Sequence, residues 1–416
     1  MKILYFADIR FPLERANGIQ TMETCWAVAG RNHQVTLIVR PDTHASPRDP
    51  FDYYGLAPLD TLRLERAPVR GSAAARRASY LAFSIGRAVG RARADLLFTR
   101  DLGVASALLR LPLSMRPPLV YESHGYAPEV AGALPALVST ARRSSAAKLA
   151  RLRRREARVW RSAEGYVTIT RGLEAEMRRR FGERVRVAVV PDGTRLPDSR
   201  SDDTVSSEFH VRDPRSPVVG YAGHLYAWKG VDVLLEALAR LPGARGLVIG
   251  GHDREPDLAR VKTLAERLGI TPRVIFTGLV APPSVGGLLR TADVLALPNP
   301  ASAISTQFTS PLKLFEYMAA GRPIVASDLP AIREVLRDEV TALLVAPGDP
   351  DALAKAIVRL SADPALASTL AREAAAAVTD FSWKRRAERL EALFEDVVRG
   401  APGRGLGARG RAIRAE

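Results

Sequence analysis

An alternation that runs twice along the chain constrains its fold more than any other feature. Short apolar runs of strand type alternate with amphipathic stretches over residues 1–195, and the pattern restarts at residue 217. The first set reads KILYFA, QVTLIV, DLLFT, PLVYES, GYVTIT and RVAVVP; the second reads PVVGYAG, GLVIGG, RVIFTG, DVLALP, PIVAS and ALLVAP. Strand-length runs separated by helix-length stretches predict parallel βαβ units. Residues 196–216, LPDSRSDDTVSSEFHVRDPRS, hold no sustained apolar period and are rich in Ser, Asp and Pro, which marks a linker. A chain of 416 residues exceeds what one hydrophobic core organises, so two domains are expected. The expectation is an α/β protein of two doubly wound domains, 1–195 and 217–380, facing across a cleft at the carboxyl ends of their strands. FSWKRRAERLEALFEDVVRG predicts a last helix over 381–398 that packs back towards the N-terminal domain, followed by a disordered basic tail over 399–416.

Several function classes drop out. No run of about 18 uncharged apolar residues is present, and Asp8 interrupts the opening MKILYFADIR too early for a secretory signal. A single cysteine, Cys25, makes neither an internal disulfide nor a multi-cysteine metal site. Gly405, Gly407 and Gly410 match the dinucleotide fingerprint, but no strand precedes them and no βαβ unit follows. The only Asp-x-Asp is Asp349 to Asp351, where Asp349 is placed to cap a following helix. The formal charge is +16, and it is unevenly held: residues 1–200 carry 34 basic against 19 acidic side chains, residues 201–416 carry 27 against 26. That asymmetry points to an anionic partner for the first half. Nucleic acid is disfavoured, because zinc spacing, RNP-like strands and basic-aromatic alternation are all missing.

One acid stands out in SPLKLFEYMAAGRPIVASDLP, residues 310–330. Ser310 then Pro311 predicts a helix start with Ser310 as cap, and Gly321 a stop. The orphan N–H groups at such a start, at the carboxyl edge of a sheet, suit a phosphate. Helical side chains tilt back towards the N-terminus, so Glu316 can reach a group beside that phosphate, and two carboxylate oxygens match the paired hydroxyls of a ribose. An ordinary ion pair with Lys313, three residues earlier, reads equally well here. GYAGHLYAWKGVDVLLEAL adds a strand, a loop carrying His224 and Lys229, and a helix after Gly230; a lysine in that loop can neutralise a departing diphosphate.

The segments GHLYAWKGVD, RVIFTG, SPLKLFEYMAAGRPIVASDLPAIREVL and FSW resemble the retaining glycosyltransferases of family four, as do RFPLERANGIQTMETCWAVAGRNHQVTLIV and PDGTRL in the first half. The likeness spans nearly the whole chain and implies the GT-B fold of two Rossmann-like domains. It implies that Glu316 holds the donor ribose, that Lys229 binds the diphosphate, and that the amides of Ser310, Pro311 and Leu312 lie under the phosphates, Pro311 having no N–H of its own to give. It further implies that Gly18 lets the backbone approach donor and acceptor, that His124 of YESHGY lies beside the donor sugar, and that the nucleobase lies near Arg273 and Val274. His124, Lys229 and Glu316 are thus the expected catalytic set. Two departures are visible: Phe308 stands where the family's first glutamate falls, and His224 where an arginine precedes the phosphate lysine. Lys313, in a Ser-Pro-x-Lys arrangement, restores the lost positive charge.

What the resemblance implies is transfer of a sugar from a nucleotide diphosphate sugar, UDP before GDP, to an acceptor hydroxyl with retention at the anomeric carbon, in surface polysaccharide or glycolipid synthesis. No cofactor and no catalytic metal are expected. The alternative is a GT-B epimerase or a non-catalytic nucleotide-sugar binder. The acceptor is expected to be a glycan or lipid-linked saccharide. Two stretches, SAAARRASYLAFSIGRAVGRARADLL with Tyr80, Leu81, Phe83, Ile85 and Val89 among Arg76, Arg77, Arg87, Arg91 and Arg93, and AKLARLRRREARVW, read either as helices for an anionic membrane surface or as core helices with solvated arginine faces. The expected location is cytoplasmic, on the inner face of the membrane.

Overall fold

The computed structural model describes residues 1–90, 94–137, 142–197, 216–253, 255–308 and 310–401. Most of the expected linker, the 402–416 part of the tail, and Arg91 and Arg93 lie outside the described residues.

Seven parallel strands form the first sheet: β1 (Lys2–Arg10), β2 (Gln34–Arg40), β3 (Leu62–Arg66), β4 (Leu96–Thr99), β5 (Leu119–Ser123), β6 (Gly165–Thr168) and β7 (Val187–Val189), in the order β3-β2-β1-β4-β5-β6-β7. Six parallel strands form the second: β8 (Val218–Ala222), β9 (Arg245–Ile249), β10 (Val274–Gly278), β11 (Val294–Leu297), β12 (Ile324–Ser327) and β13 (Leu343–Val345), in the order β10-β9-β8-β11-β12-β13. Strand order reverses between β1 and β4 and between β8 and β11, so each sheet is doubly wound as expected, and each has a crevice at its carboxyl edge. All six expected strands of the second half form. In the first half β3, LRLER, is an addition: it is an edge strand whose alternating charges hide it from a search for continuous apolar runs.

Strands buried on both faces explain the near-continuous apolar runs, and each sheet is covered by two apolar clusters. One cluster on the first sheet is completed by the helix Trp383–Arg399, whose buried Trp383, Arg386, Ala387, Leu390, Leu393, Phe394 and Val397 recur at helical spacing. Phe394 packs edge-on to Phe98 of β4 with ring centroids 5.1 Å apart. The chain therefore leaves the second sheet and ends on the first, crossing back beside Thr194, which is bridged to Ser382 and bonded to Phe381 and Trp383. Ser382 caps this helix, accepting from the N–H of Arg385 at 3.2 Å.

Three further contacts span the domains. The Glu334 carboxylate accepts from the N–H groups of Arg171 and Gly172, at 2.7 and 2.9 Å, at the start of the helix Arg171–Phe181. The Thr170 hydroxyl donates to the carbonyl of Gln307 at 2.8 Å. Arg15 reaches Glu255 across the cleft at 3.0 Å.

The two basic stretches part company. In the helix Ala73–Val89, Arg77 is paired with Asp8 and Asp101 and Arg87 with Glu65, while Leu81, Phe83 and Ile85 pack on the core. Its buried Tyr80 and Ala88 and its partly buried Leu81, Phe83 and Ile85 favour the core-helix reading, while Val89 is exposed. In the helix Ala146–Ser162 only Glu156, Val159 and Trp160 are buried. Lys148, Arg151, Arg153, Arg154, Arg158 and Arg161 are exposed. None of these six has a carboxylate partner among the described residues. No helix of the described residues is long and apolar enough to cross a membrane.

Candidate donor site in the interdomain cleft

A cleft with a cavity volume of about 310 Å³ opens between the two carboxyl edges. The loops after β1, β4, β5 and β7 contribute Glu14, Arg100, His124 and Asp192, and the first turn of the helix Ala16–Ala29 contributes Asn17; the loops after β8, β9 and β10 contribute Gly223, His224, Trp228, Lys229, Gly251, Leu279 and Val280. Ser310, Pro311, Leu312, Lys313 and Glu316 complete it. The structure thus brings together His124, His224, Lys229, Glu316 and the 310–313 segment from positions spread over the whole sequence.

The helix carrying Glu316 runs Leu312–Ala319, with Pro311 in the cap position. This corrects the expected role of Ser310, which lies one residue too early to cap: its hydroxyl accepts from the N–H of Asp192 at 3.1 Å and so fastens the loop to the N-terminal domain. The N–H groups at the start of the helix are left without a side-chain cap, facing the cleft.

Lys313 is buried, only 7% exposed, with Nζ 3.9 Å from the centroid of the Tyr221 ring and no hydrogen-bond partner. Among the described residues it makes no ion pair with Glu316, so the structure decides between the two readings of that pair against a simple salt bridge. Burial, and then the charge of Lys229, push the Lys313 amine well below its ordinary range, against a smaller opposing pull from Glu316. Lys229 is positioned by a turn, Ala227–Lys229, that ends at Gly230 with φ of 81°. Any Cβ at Gly230 would lie 1.8 Å from the carbonyl oxygen of Pro298, so only glycine lets this loop approach β11. The Lys229 ammonium sits 3.7 Å from the centroid of the Trp228 ring, and burial lowers its pKa to about 8. Two amines crowded together without a carboxylate partner are an unsatisfied arrangement, and an anion between them would satisfy both.

Glu316 is partly buried, and burial together with Glu23 from the opposite domain raises its pKa to about 7, with Lys313 opposing. Glu23 is itself raised by burial, with Arg195, 2.7 Å away, pulling the other way. His224 stacks on Tyr226 with centroids 5.2 Å apart, and Glu255 holds both, at 3.4 Å from the imidazole and 3.1 Å from the phenol. Burial lowers the His224 pKa, so this ring does not replace the arginine charge that the family resemblance led one to expect. Phe308 is buried beside Gly125 in the loop that carries His124.

Three expected residues lie elsewhere. Gly18 sits inside the helix Ala16–Ala29, where a Cβ would meet the Leu13 carbonyl oxygen at 2.3 Å and the Tyr54 hydroxyl at 2.5 Å; it is needed for packing against the 11–15 loop, and its neighbours Asn17 and Ile19 face the cleft instead. Arg273 and Val274 occupy the amino end of β10, opposite the cleft. Arg273 donates to the carbonyls of Leu238, Leu241 and Ala244, and Val274 is buried in the core. The carboxyl end of the same strand places Leu279 and Val280 in the cleft.

Sequence reading missed Glu122, Asp192 and Arg386. Glu122 accepts from Arg386 at 2.7 Å on both oxygens, from Gln20 at 2.7 Å and from His124 Nε2 at 2.5 Å. No local motif signals a pair 264 residues apart. Ligand atoms of Glu122, His124 and Asp192 lie within 4.8 Å of one another, a spacing a metal could use. Glu122 is already saturated by donors, while Asp192 Oδ1 has no hydrogen-bond partner and stands 3.9 Å from the Arg386 guanidinium, so Glu122 and His124 form a hydrogen-bonded network with Arg386 and Gln20 that Asp192 only borders.

Comparison with known proteins places this geometry. Residues 216–363 match the profile of the group 1 glycosyl transferases, and residues 18–193 that of the glycosyl transferase 4-like domain. A D-inositol 3-phosphate glycosyltransferase of Xylanimonas cellulosilytica is 30% identical over 259 residues, covering 60% of this chain and 61% of the relative. Across the curated relatives it matches, the alignments span about half to three-fifths of their length. Among solved structures, sucrose-phosphate synthase from Thermosynechococcus elongatus superposes with a TM-score of 0.74 at 20% identity, over 95% of this chain and 99% of that one. Anabaena Alr3699/HepE in complex with UDP-glucose gives 0.69 at 19% identity, over 95% and 100%. With the two profiles falling one on each domain and both sheets arranged as in the GT-B fold, the chain belongs to the family-4, or group 1, glycosyltransferases.

Proposed function

We propose that this protein transfers a hexosyl group from a nucleotide diphosphate sugar to an acceptor hydroxyl with retention. The observation that carries the reading is the convergence of Lys229, Lys313 and the uncapped helix start at Leu312 on one point of the cleft, with no carboxylate paired to either amine. A diphosphate supplies the missing charge. As the bond between the anomeric carbon and the phosphate oxygen breaks, negative charge grows on the diphosphate, and both ammonium groups stabilise it in a site screened from water. The acceptor oxygen bonds to the anomeric carbon from the same face, and its proton passes to the leaving phosphate. Glu316 takes the ribose hydroxyls and His124 stands beside the sugar.

The base is assigned to Leu279 and Val280, whose side chains give that part of the cleft an apolar lining. Guanine presents N–H donors that call for a carboxylate; uracil does not, and UDP is the favoured nucleotide. The UDP-glucose complex of the structurally similar Alr3699/HepE supports the same choice. On the N-terminal wall Arg100 faces the cleft with its guanidinium bonded only to Gln20 among the described residues, at 2.7 Å, which supports an acceptor carrying an anionic group. The exposed arginines of the helix Ala146–Ser162 support docking on an anionic membrane surface at which such an acceptor, a lipid-linked saccharide or glycan, is held.

Titration calorimetry with UDP, GDP and ADP, followed by turnover of the matching nucleotide sugars with and without acceptor, tests this. UDP-selective binding and acceptor-dependent release of UDP are expected. Binding without release would make the protein a nucleotide-sugar binder, conversion of the sugar without acceptor an epimerase, and no binding would remove the donor site.

A further inference from the structure

The N-terminal wall of the cleft contains a buried chain of charged groups whose role lies behind the reacting atoms. Glu122 in β5 is fully buried and receives four hydrogen bonds, two from the same nitrogen of Arg386 and one each from Gln20 and His124. Arg386, 1% exposed, donates as well to the carbonyls of Val190 and Pro191, at 2.9 and 2.7 Å, and to the Thr24 hydroxyl at 3.0 Å. A guanidinium so held cannot leave the carboxylate. Burial alone would raise the Glu122 carboxyl, but Arg386 and His124 outweigh it and hold it well below the usual range. Glu122 is therefore an ion that only accepts, and the proton between it and His124 is on Nε2.

The other ring nitrogen, Nδ1, makes no hydrogen bond among the described residues, and the ring borders the cleft. The charged groups facing the ring are Arg100 beyond β4, Glu122, Asp192 beyond β7, and Arg386 from the C-terminal helix. Burial and then Arg100 disfavour a second proton on the ring more than Glu122 and Asp192 favour it.

We propose that Glu122, locked in place by Arg386, is a positioning residue that holds His124 as the neutral Nε2–H tautomer, so that the sugar pocket presents Nδ1 as a hydrogen-bond acceptor and selects a hydroxyl-bearing hexose over a uronate. The sugar-selecting half rests on the donor reading above. A hexose hydroxyl donates to Nδ1, whereas a carboxylate at that point brings a second acceptor against a lone pair and finds no donor on the ring. The tautomer is set from the C-terminal helix, which joins the cleft wall only after the chain has crossed back from the second domain. In Glu122→Gln the side-chain amide can donate to Nε2, which moves the ring proton to Nδ1 and reverses what the pocket offers.

Long-range proton–nitrogen NMR of the full chain labelled with [15N]histidine tests the tautomer directly, with His124→Gln assigning the resonance. A protonated Nε2 and an unprotonated Nδ1 across about pH 6 to 8 are expected, and a protonated Nδ1 in the native protein overturns the proposal. In Glu122→Gln the native pattern is expected to be lost, and its persistence would show that Glu122 does not set it; in Arg386→Met, where Glu122 remains but is no longer held, persistence of the native pattern would overturn the locking role of Arg386. In competition binding, UDP-glucose is expected to outbind UDP-glucuronate at least about tenfold in the native protein and less than about threefold in Glu122→Gln, hydrogen bonds to a charged or rigidly held partner being of this size. Equal binding of the two sugars by the native protein overturns the selection. Failure of UDP itself to bind overturns the donor reading and the selection with it, while the spectrum still judges the tautomer.

Discussion

The two walls of the cleft handle charge in opposite ways. Behind the N-terminal wall cations meet carboxylates: Arg10 and Arg48 on Glu14, Arg195 on Glu23, Arg386 on Glu122, with Arg100, which faces the cleft bonded to Gln20, the exception. On the C-terminal wall Lys229 and Lys313 stand together with aromatic rings beneath them and no acid to neutralise them. Yet residues 1–200 hold the net positive charge and residues 201–416 are nearly neutral. Total charge is thus a poor guide to where an anion binds. What distinguishes the site is a pair of amines that folding leaves uncompensated, at a cost in stability that a ligand recovers.

The largest effects should come from the lysines. Lys229→Ala is expected to lower turnover about 10²- to 10³-fold, the usual range for a group that meets charge developing in the transition state, and Lys313→Met to weaken UDP binding to a comparable degree. Arg48→Gln, which removes a compensated cation from the other wall, should change UDP affinity less than about twofold. Equal losses from both walls would break the comparison. Replacing Arg151, Arg154 and Arg158 by glutamine is expected to lower binding to phosphatidylserine-containing vesicles by about 100-fold, at about 1 kcal/mol for each basic group near the surface. Changing Arg76, on the core helix, should alter it only a few-fold.

Glu316→Gln should weaken UDP binding about tenfold, since hydrogen bonds to an ionised acceptor are worth about 1.5–3 kcal/mol. The pH dependence sharpens the same contrast. Lys229 binds the diphosphate as the ammonium and loses its proton above about pH 8, so affinity falls as pH rises through that value. Glu316 accepts from ribose as the carboxylate and is protonated below about pH 7, so affinity falls again on acidification. Binding is strongest between the two, and Glu23→Gln, which removes a repelling charge, moves the acid limb to lower pH. The smallest expected effect on binding is that of Gly18→Ala: overpacking against Leu13 and Tyr54 should cost about 1–3 kcal/mol of stability, read as a lower Tm, with UDP affinity within twofold of native.

How much of this was legible in the sequence follows from how local each signal is. Twelve apolar runs announced twelve of the thirteen strands, because strands buried on both faces are written as continuous apolar segments. β3 escaped because an edge strand carries charge. Lys229, Lys313 and Glu316 were found from helix starts and loop position, features set by a few neighbouring residues. Gly18, Arg273 and Val274 were placed by resemblance alone; Gly18 sits between cleft-lining residues but faces the 11–15 loop, and Arg273 and Val274 are a strand length from the cleft, displacements that no local pattern reports. Ser310 was misjudged by one position, where its hydroxyl serves another loop. Glu122 and Arg386 were invisible for a different reason: their meeting depends on the final helix returning to the first domain. That return was expected, but its register against β5 was not readable.

The central claim is that a diphosphate completes the two lysines. Titration of UDP at pH 8, in buffers of different ionisation enthalpy, tests it most directly. Binding is predicted to take up protons, up to about half a proton at Lys229, because a group with a pKa of about 8 becomes fully protonated beside the diphosphate, with a smaller uptake when Lys229 is replaced by Met. UDP binding with no proton uptake, or with uptake unchanged in Lys229→Met, would contradict it.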